Sequence, residues 1–148
     1  MNIYRSKYSE LPGSALNEVM RLARYEYHHI QKKTPRRVPY VRSKYFVKDK
    51  IFINSFWEHL NQKNPRERVR RLKFYSCAID LLRNNAHAPE TIFSKVETDI
   101  NLHRFYGYTK DDQLFCVQVK ENKRNNRKDF ISVFPVKNNN QVKRPSAV

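Results

Sequence analysis

Apolar residues recur at helical spacing through the first half of this chain and alternate with polar ones through the second. Leu16, Val19, Met20, Ala23, Tyr27 and Ile30 fall three or four apart, which predicts a helix from an N-cap at Ser14 to about Lys33, where Thr34 and Pro35 stop it. Residues 32–44 are rich in Lys and Arg and hold two prolines, so they read as an extended connector. Residues 45–60 begin strand-like and turn helical near Asn54, aiming Phe56, Trp57 and Leu60 at a core. Asn64, Pro65 and Glu67 supply a cap, a proline for the first helical position and an acid three residues after the cap. The helix they open carries Val69, Leu72, Ile79 and Leu82 on its apolar stripe and runs to about Asn84, with Arg66, Arg70, Lys73 and Arg83 off that stripe.

Strand periodicity then takes over at about 91–96, 102–108, 113–121 and 128–134, with turns at 109–112 and 122–127. The pattern predicts an α+β domain spanning 1–136, its helical part about 1–86 and its sheet part about 90–135, with N-terminal helices packed on one face of a four-stranded antiparallel sheet. Residues 137–148 read as a flexible polar tail. Pairing Tyr108 with Gln113, and Glu121 with Asp129, assigns Arg104, Tyr106, Tyr108, Phe115, Val117, Val119, Ile131 and Val133 to the helix-covered face. His103, Phe105, Cys116, Gln118, Lys120, Phe130, Ser132 and Phe134 then occupy the other, and His103, Gln118 and Ser132 stand side by side.

Charge narrows the choice of partner. Thirty Lys and Arg against 14 Asp and Glu give a formal +16 over 148 residues, more than solubility requires, which makes a polyanion and first of all RNA the expected partner. Nine Phe, nine Tyr and one Trp suit base stacking as well as core filling. Cys77 and Cys116 stand far apart with no zinc-type spacing around them, as in a reduced cytoplasmic protein. The N-terminus lacks the apolar segment of a signal peptide, and no apolar run is long enough to span a membrane.

On the open face the residue types match RNA cleavage by its own 2′-hydroxyl, which needs a base, a cation for the phosphorane and a proton donor. His103 can act as base or acid, Lys120 can hold the non-bridging oxygens and Ser132 can donate to them. Gln118 positions phosphate or a base edge, and Arg104, Arg124, Arg127 and Lys128 bind the RNA backbone. Paired carboxylates for a magnesium nuclease are scarce, since Asp111 and Asp112 share a turn and Glu97 and Asp99 flank a strand end; the expected mechanism uses no cofactor. Each residue also has a plain reading: a half-buried strand histidine, a solubilising lysine, a strand-end serine.

The sequence LHRFYGYTK, LFCVQVKE and FISVFP, following helices, resembles the phage-type nucleases of the barnase/EndoU/colicin/RelE-like superfamily over about residues 64–135. The resemblance implies a metal-independent endoribonuclease, a toxin or effector of a mobile element, with its site on the open sheet face and with His103, Lys120 and Ser132 in the roles of sheet-face histidine, strand cation and last-strand hydroxyl. An acidic antitoxin or immunity protein is the partner this implies. The competing classes are a non-catalytic nucleic-acid-binding protein of a phage or plasmid, and a basic protein that docks an acidic one.

Overall fold

Helix α4 (Tyr75–Asn84) organises the molecule, because seven of its ten residues are buried and it needs partners on every side. The computed structural model describes residues 3–137, and 138–148, most of the expected tail, lie outside the described residues. In chain order the elements are β1 (Tyr4–Arg5), α1 (Leu16–Lys32), β2 (Tyr40–Arg42), β3 (Lys50–Phe52), α2 (Ser55–Asn61), α3 (Pro65–Leu72), α4, β4 (Glu90–Phe93), β5 (Ile100–Tyr108), β6 (Leu114–Asn122) and β7 (Arg127–Pro135).

The α+β class stands, but the four-stranded antiparallel sheet does not. Seven strands form one mixed sheet in the order β1-β5-β6-β7-β3-β2, and β4 lies along β5. β1 pairs parallel to β5 at Tyr4–Gly107 and β3 parallel to β7 at Phe52–Asp129, so the N-terminal half contributes strands to both margins. The sheet curls round α4: β2 packs on that helix from one margin, and Ser6, just after β1, hydrogen-bonds Asp80 of α4 from the other (2.8 Å). The connector expected over 32–44 therefore contains a strand, and the long helix expected to Asn84 is two, α3 and α4, separated at Lys73 and Phe74.

Register decides which side chains meet. Tyr108 pairs with Leu114 rather than Gln113, because the β5–β6 connection closes as a three-residue loop with Asp112 in the left-handed region (φ 67) and a bond from Thr109 N–H to Gln113 C=O (2.8 Å). The Thr109 hydroxyl accepts the N–H groups of Asp111 and Gln113 and holds that loop. One residue of slip moves the whole of β5 to the other face. His103, Phe105 and Gly107 consequently join Phe115, Val117, Val119 and Val133 on the helix-covered face, and Arg104, Tyr106 and Tyr108 turn away from it. A bulge opposite Gln118 and Val119 inserts Ile131 as an extra residue of β7 and puts Phe130 under α2, stacked on Phe56 at 4.8 Å.

Gly107 is required by proximity. A Cβ there would stand 2.8 Å from the Phe115 ring and 2.9 Å from Leu81 of α4, so its absence lets the helix settle on the sheet.

Candidate nucleic-acid interface

The side of the sheet turned away from α4 carries cations laid on aromatic rings. In β2 and β3 the pairs Tyr40–Phe52 and Arg42–Lys50 share one face, and Phe52 adjoins Asp129 of β7 on that same face. Lys50 Nζ lies 4.7 Å and the Arg42 guanidinium 5.3 Å from the Tyr40 ring centre, and the Arg127 guanidinium lies 4.2 Å from that of Phe52. Arg42, Asp49, Lys50, Phe52 and Arg127, with Asn125 and Asn126 of the β6–β7 loop, line an open groove of about 490 Å³, and Arg127 Nε donates to both oxygens of Asp129 (3.2 Å). Lys120 is exposed beside it, opposite Asp129, and Arg124 on the same loop is exposed and 3.7 Å from Asp99. A base stacked on Tyr40 or Phe52 would have a cation within reach of its phosphate.

The triad expected from the sequence does not assemble. Gln118 and Ser132 are paired as expected and Lys120 shares their face, but His103 is opposite Val119 and points to the other side of the sheet. There it is 6% exposed, with Nδ1 at 2.8 Å from the Thr91 hydroxyl, Nε2 donating to Glu121 (2.7 Å) and Phe46 edge-on to its ring. Lys128, expected on the RNA backbone, is 2% exposed, donating to Asp49 (2.9 Å) and Asn126 (2.8 Å) with Glu121 at 3.5 Å. Burial raises the pKa of Glu121, but its hydrogen bond with His103 and the Lys128 charge prevail and hold it below the usual carboxylate range. Arg104 lies half-buried on the outer face next to Glu90 and Cys116, and burial pushes the Cys116 thiol up to about 12.

A second concavity opens where α2 and α3 wrap the free half of β7. Its volume is about 250 Å³; Phe56, Leu60, Ile131 and Phe134 supply apolar walls, and His59, Lys63, Arg71, Gln118 and Ser132 the polar lining. Arg71 is fixed by Glu67 (Nε to Oε1, 3.0 Å), by a bond to the Ser132 hydroxyl (2.7 Å) and by the Phe134 ring (5.4 Å). Burial raises the pKa of Glu67, but hydrogen bonds and charge from Arg71 and Arg70 outweigh it and draw it below the usual range.

The residues that build these two features were only partly readable. Tyr40, Arg42, Lys50 and Phe52 alternate cation and aromatic at strand spacing, a signal obscured by two neighbouring prolines and by strands of three residues. Arg71 and His59 reach the sheet only through the tertiary placement of α2 and α3. No helix among the described residues is long and apolar enough to cross a membrane. No family model, curated protein or solved structure matches the chain, and nothing in these comparisons identifies the barnase/EndoU/colicin/RelE-like superfamily.

Proposed function

We propose that this protein binds single-stranded nucleic acid across the outer face of its sheet. The observation that supports this most directly is the strip of Tyr40, Arg42, Lys50, Phe52 and Arg127, rings and cations interleaved along an open groove in a chain of net charge +16. Single strands suit it better than duplex because their bases are free to stack on Tyr40 and Phe52.

Metal-free ribonuclease chemistry with His103, Lys120 and Ser132 requires all three at one phosphodiester. With the sheet standing between the imidazole and the other two groups, the geometry favours binding over cleavage.

The test is fluorescence anisotropy of a labelled 20-nucleotide RNA against the same sequence as duplex and as DNA, over a salt series in EDTA, with the RNA then run on a denaturing gel. Affinity should fall with salt along a logarithmic slope of about −0.7 per phosphate neutralised, and Lys50→Ala and Arg127→Ala should each make that slope shallower by about that amount. Phe52→Leu and Tyr40→Leu, which keep the apolar contact and remove the ring, should weaken binding by about 1–3 kcal/mol each at unchanged slope. Absence of binding at low salt, or affinity indifferent to all four changes, overturns the reading and leaves an acidic protein, such as an antitoxin, as the partner to seek. Cut RNA on the gel that depends on His103 would restore the nuclease.

A further inference from the structure

We propose that the cleft between α2, α3 and the β6–β7 pair is a site for a phosphate ester carried on a planar or apolar body of about the size of one nucleotide. It shares no residue with the strip of Tyr40, Arg42, Lys50, Phe52 and Arg127, so it goes beyond the reading above and stands or falls apart from it.

The polar half of the cleft is built from donors. His59, Lys63, Arg71, Gln118 and Ser132 supply it, and no carboxylate is in the lining. Arg71 spends Nε on Glu67 and one Nη1 hydrogen on Ser132, which leaves Nη2 without a partner among the described residues. Ser132 Oγ accepts that bond, so its own O–H is left to donate. Lys63 is tied to Arg68 through its backbone carbonyl (2.8 Å), and its ammonium, like the Gln118 amide, has no hydrogen-bond partner among the described residues. Glu67 holds Arg71 from outside the lining and is shared with Arg70, so one positive charge stays uncompensated before Lys63 is counted. These donors arrive from the end of α2, from α3, from β6 and from β7. A phosphate with three terminal oxygens accepts from several directions at once, where a planar carboxylate has two oxygens, and the unused guanidinium hydrogens form a two-pronged donor for it.

The other half is apolar. Phe134, backed by the Arg71 guanidinium at 5.4 Å, faces the cleft together with Leu60 and Ile131, walls that a bare inorganic anion would leave uncovered and that a ring attached to the phosphate would fill. The volume of about 250 Å³ lies just below the roughly 300 Å³ at which small-molecule pockets begin, room for one phosphate and one ring system. Arg71 is held by Glu67 and Ser132 before any ligand arrives, so its guanidinium needs no reorganisation on binding. Two sources offer this chemistry: a free nucleotide, and the terminal phosphate of a strand that lies on the outer face, which Gln118 and Ser132 share with Lys120.

The experiment titrates UMP and uridine into the wild type, Arg71→Met, Lys63→Met and Lys95→Ala by calorimetry at fixed salt, then compares uridine decamers with and without a 5′- or 3′-phosphate by anisotropy. The wild type should bind UMP about ten- to a hundred-fold more tightly than uridine, the range of one charge-assisted hydrogen bond. Arg71→Met and Lys63→Met should each weaken UMP about ten-fold and leave uridine within two-fold. Lys63→Met decides alone if Arg71→Met does not fold, because the Lys63 ammonium ties no other described residue in place. Lys95→Ala removes one exposed charge from the β4–β5 loop and should leave both ligands within two-fold. Equal losses from all three variants mean that net charge alone attracts UMP and overturn the site. So does UMP binding no tighter than uridine, or a preference that survives in the folded variants. A gain from a terminal phosphate that UMP competes away identifies a strand end as the source, and UMP binding without that gain identifies a free nucleotide; both uphold the site. Decamers that do not bind at all remove the strand reading and leave the UMP titration to decide this one.

Discussion

Lys128 is the clearest residue whose role the sequence misplaces. In a run of cations around the β6–β7 loop it reads as one more phosphate contact, yet its ammonium is enclosed by Asp49, Asn126 and Glu121 and rests 4.9 Å from the Phe46 ring. Charge alone does not distinguish a buried cation from an exposed one; the bulge in β7 and the loop over 43–49 do, and neither has a local signature. Removing the ammonium takes the shared cation from Glu121 and from Asp49, and because Asp49 is 44% exposed the cost stays below that of a fully buried pair, about 1–3 kcal/mol. Lys128→Met should therefore lower the unfolding free energy obtained from a urea titration by that amount while leaving RNA affinity of the remaining folded protein within two-fold, whereas Arg127→Ala, one residue away, should do the reverse. Gln118 and Ser132, by contrast, do stand opposite each other, but only because the bulge at Ile131 restores the expected register after the second turn has shifted it by one.

Among the elements, those with length and caps were legible. The helix opened at Asn64 begins there, with Asn64 Oδ1 accepting the Glu67 N–H at 2.9 Å. α1 falls where its apolar repeat places it, although Ser14 is not the cap: Ala15 occupies that position, and the Glu18 carboxylate accepts the N–H groups of Ser14 and Ala15 instead. The three long strands are also in place, but both turns between them miss the expected register by one residue: Tyr108 meets Leu114 rather than Gln113, and Glu121 meets Lys128 rather than Asp129. Asp112 takes a left-handed conformation that glycine would have announced, so the hairpin closes one residue later than its composition suggests and β5 changes faces. Gly107, now inside, becomes the position where strand and central helix touch. Gly107→Ala should destabilise by about 1–3 kcal/mol through overpacking against Phe115 and Leu81, measured by chemical denaturation, and a neutral result would mean that α4 does not rest there.

At the scale of the molecule, strands of two and three residues escape any periodicity, and that is why β1 and β2 were invisible, the strand-like start of residues 45–60 that holds β3 was not joined to the sheet, and the sheet seemed to end at four strands. They matter because they close the sheet round α4 and set Tyr40 and Phe52 beside β7. The same closure concentrates positive charge, and the compact state pays for that in self-repulsion, which the carboxylates of Glu121 and Glu67 offset locally. Both carboxyls have folded pKa values below the ordinary 4.5, so each binds a proton more readily in the unfolded chain. Their contribution to stability is complete above the unfolded value and is lost as pH falls through the folded one. Every protonated carboxylate also raises the net positive charge, so the two effects run in the same direction. Thermal melts should hold level from pH 7 to about 5 and then fall steeply, less so in 0.5 M salt, where the Debye length drops below about 5 Å. Glu121→Gln should start less stable at pH 7, leaving Lys128 and His103 short of their shared carboxylate, and converge on the wild type below about pH 3. Parallel curves for the two proteins across that window would show that Glu121 does not hold the charge that stabilises this end of the sheet.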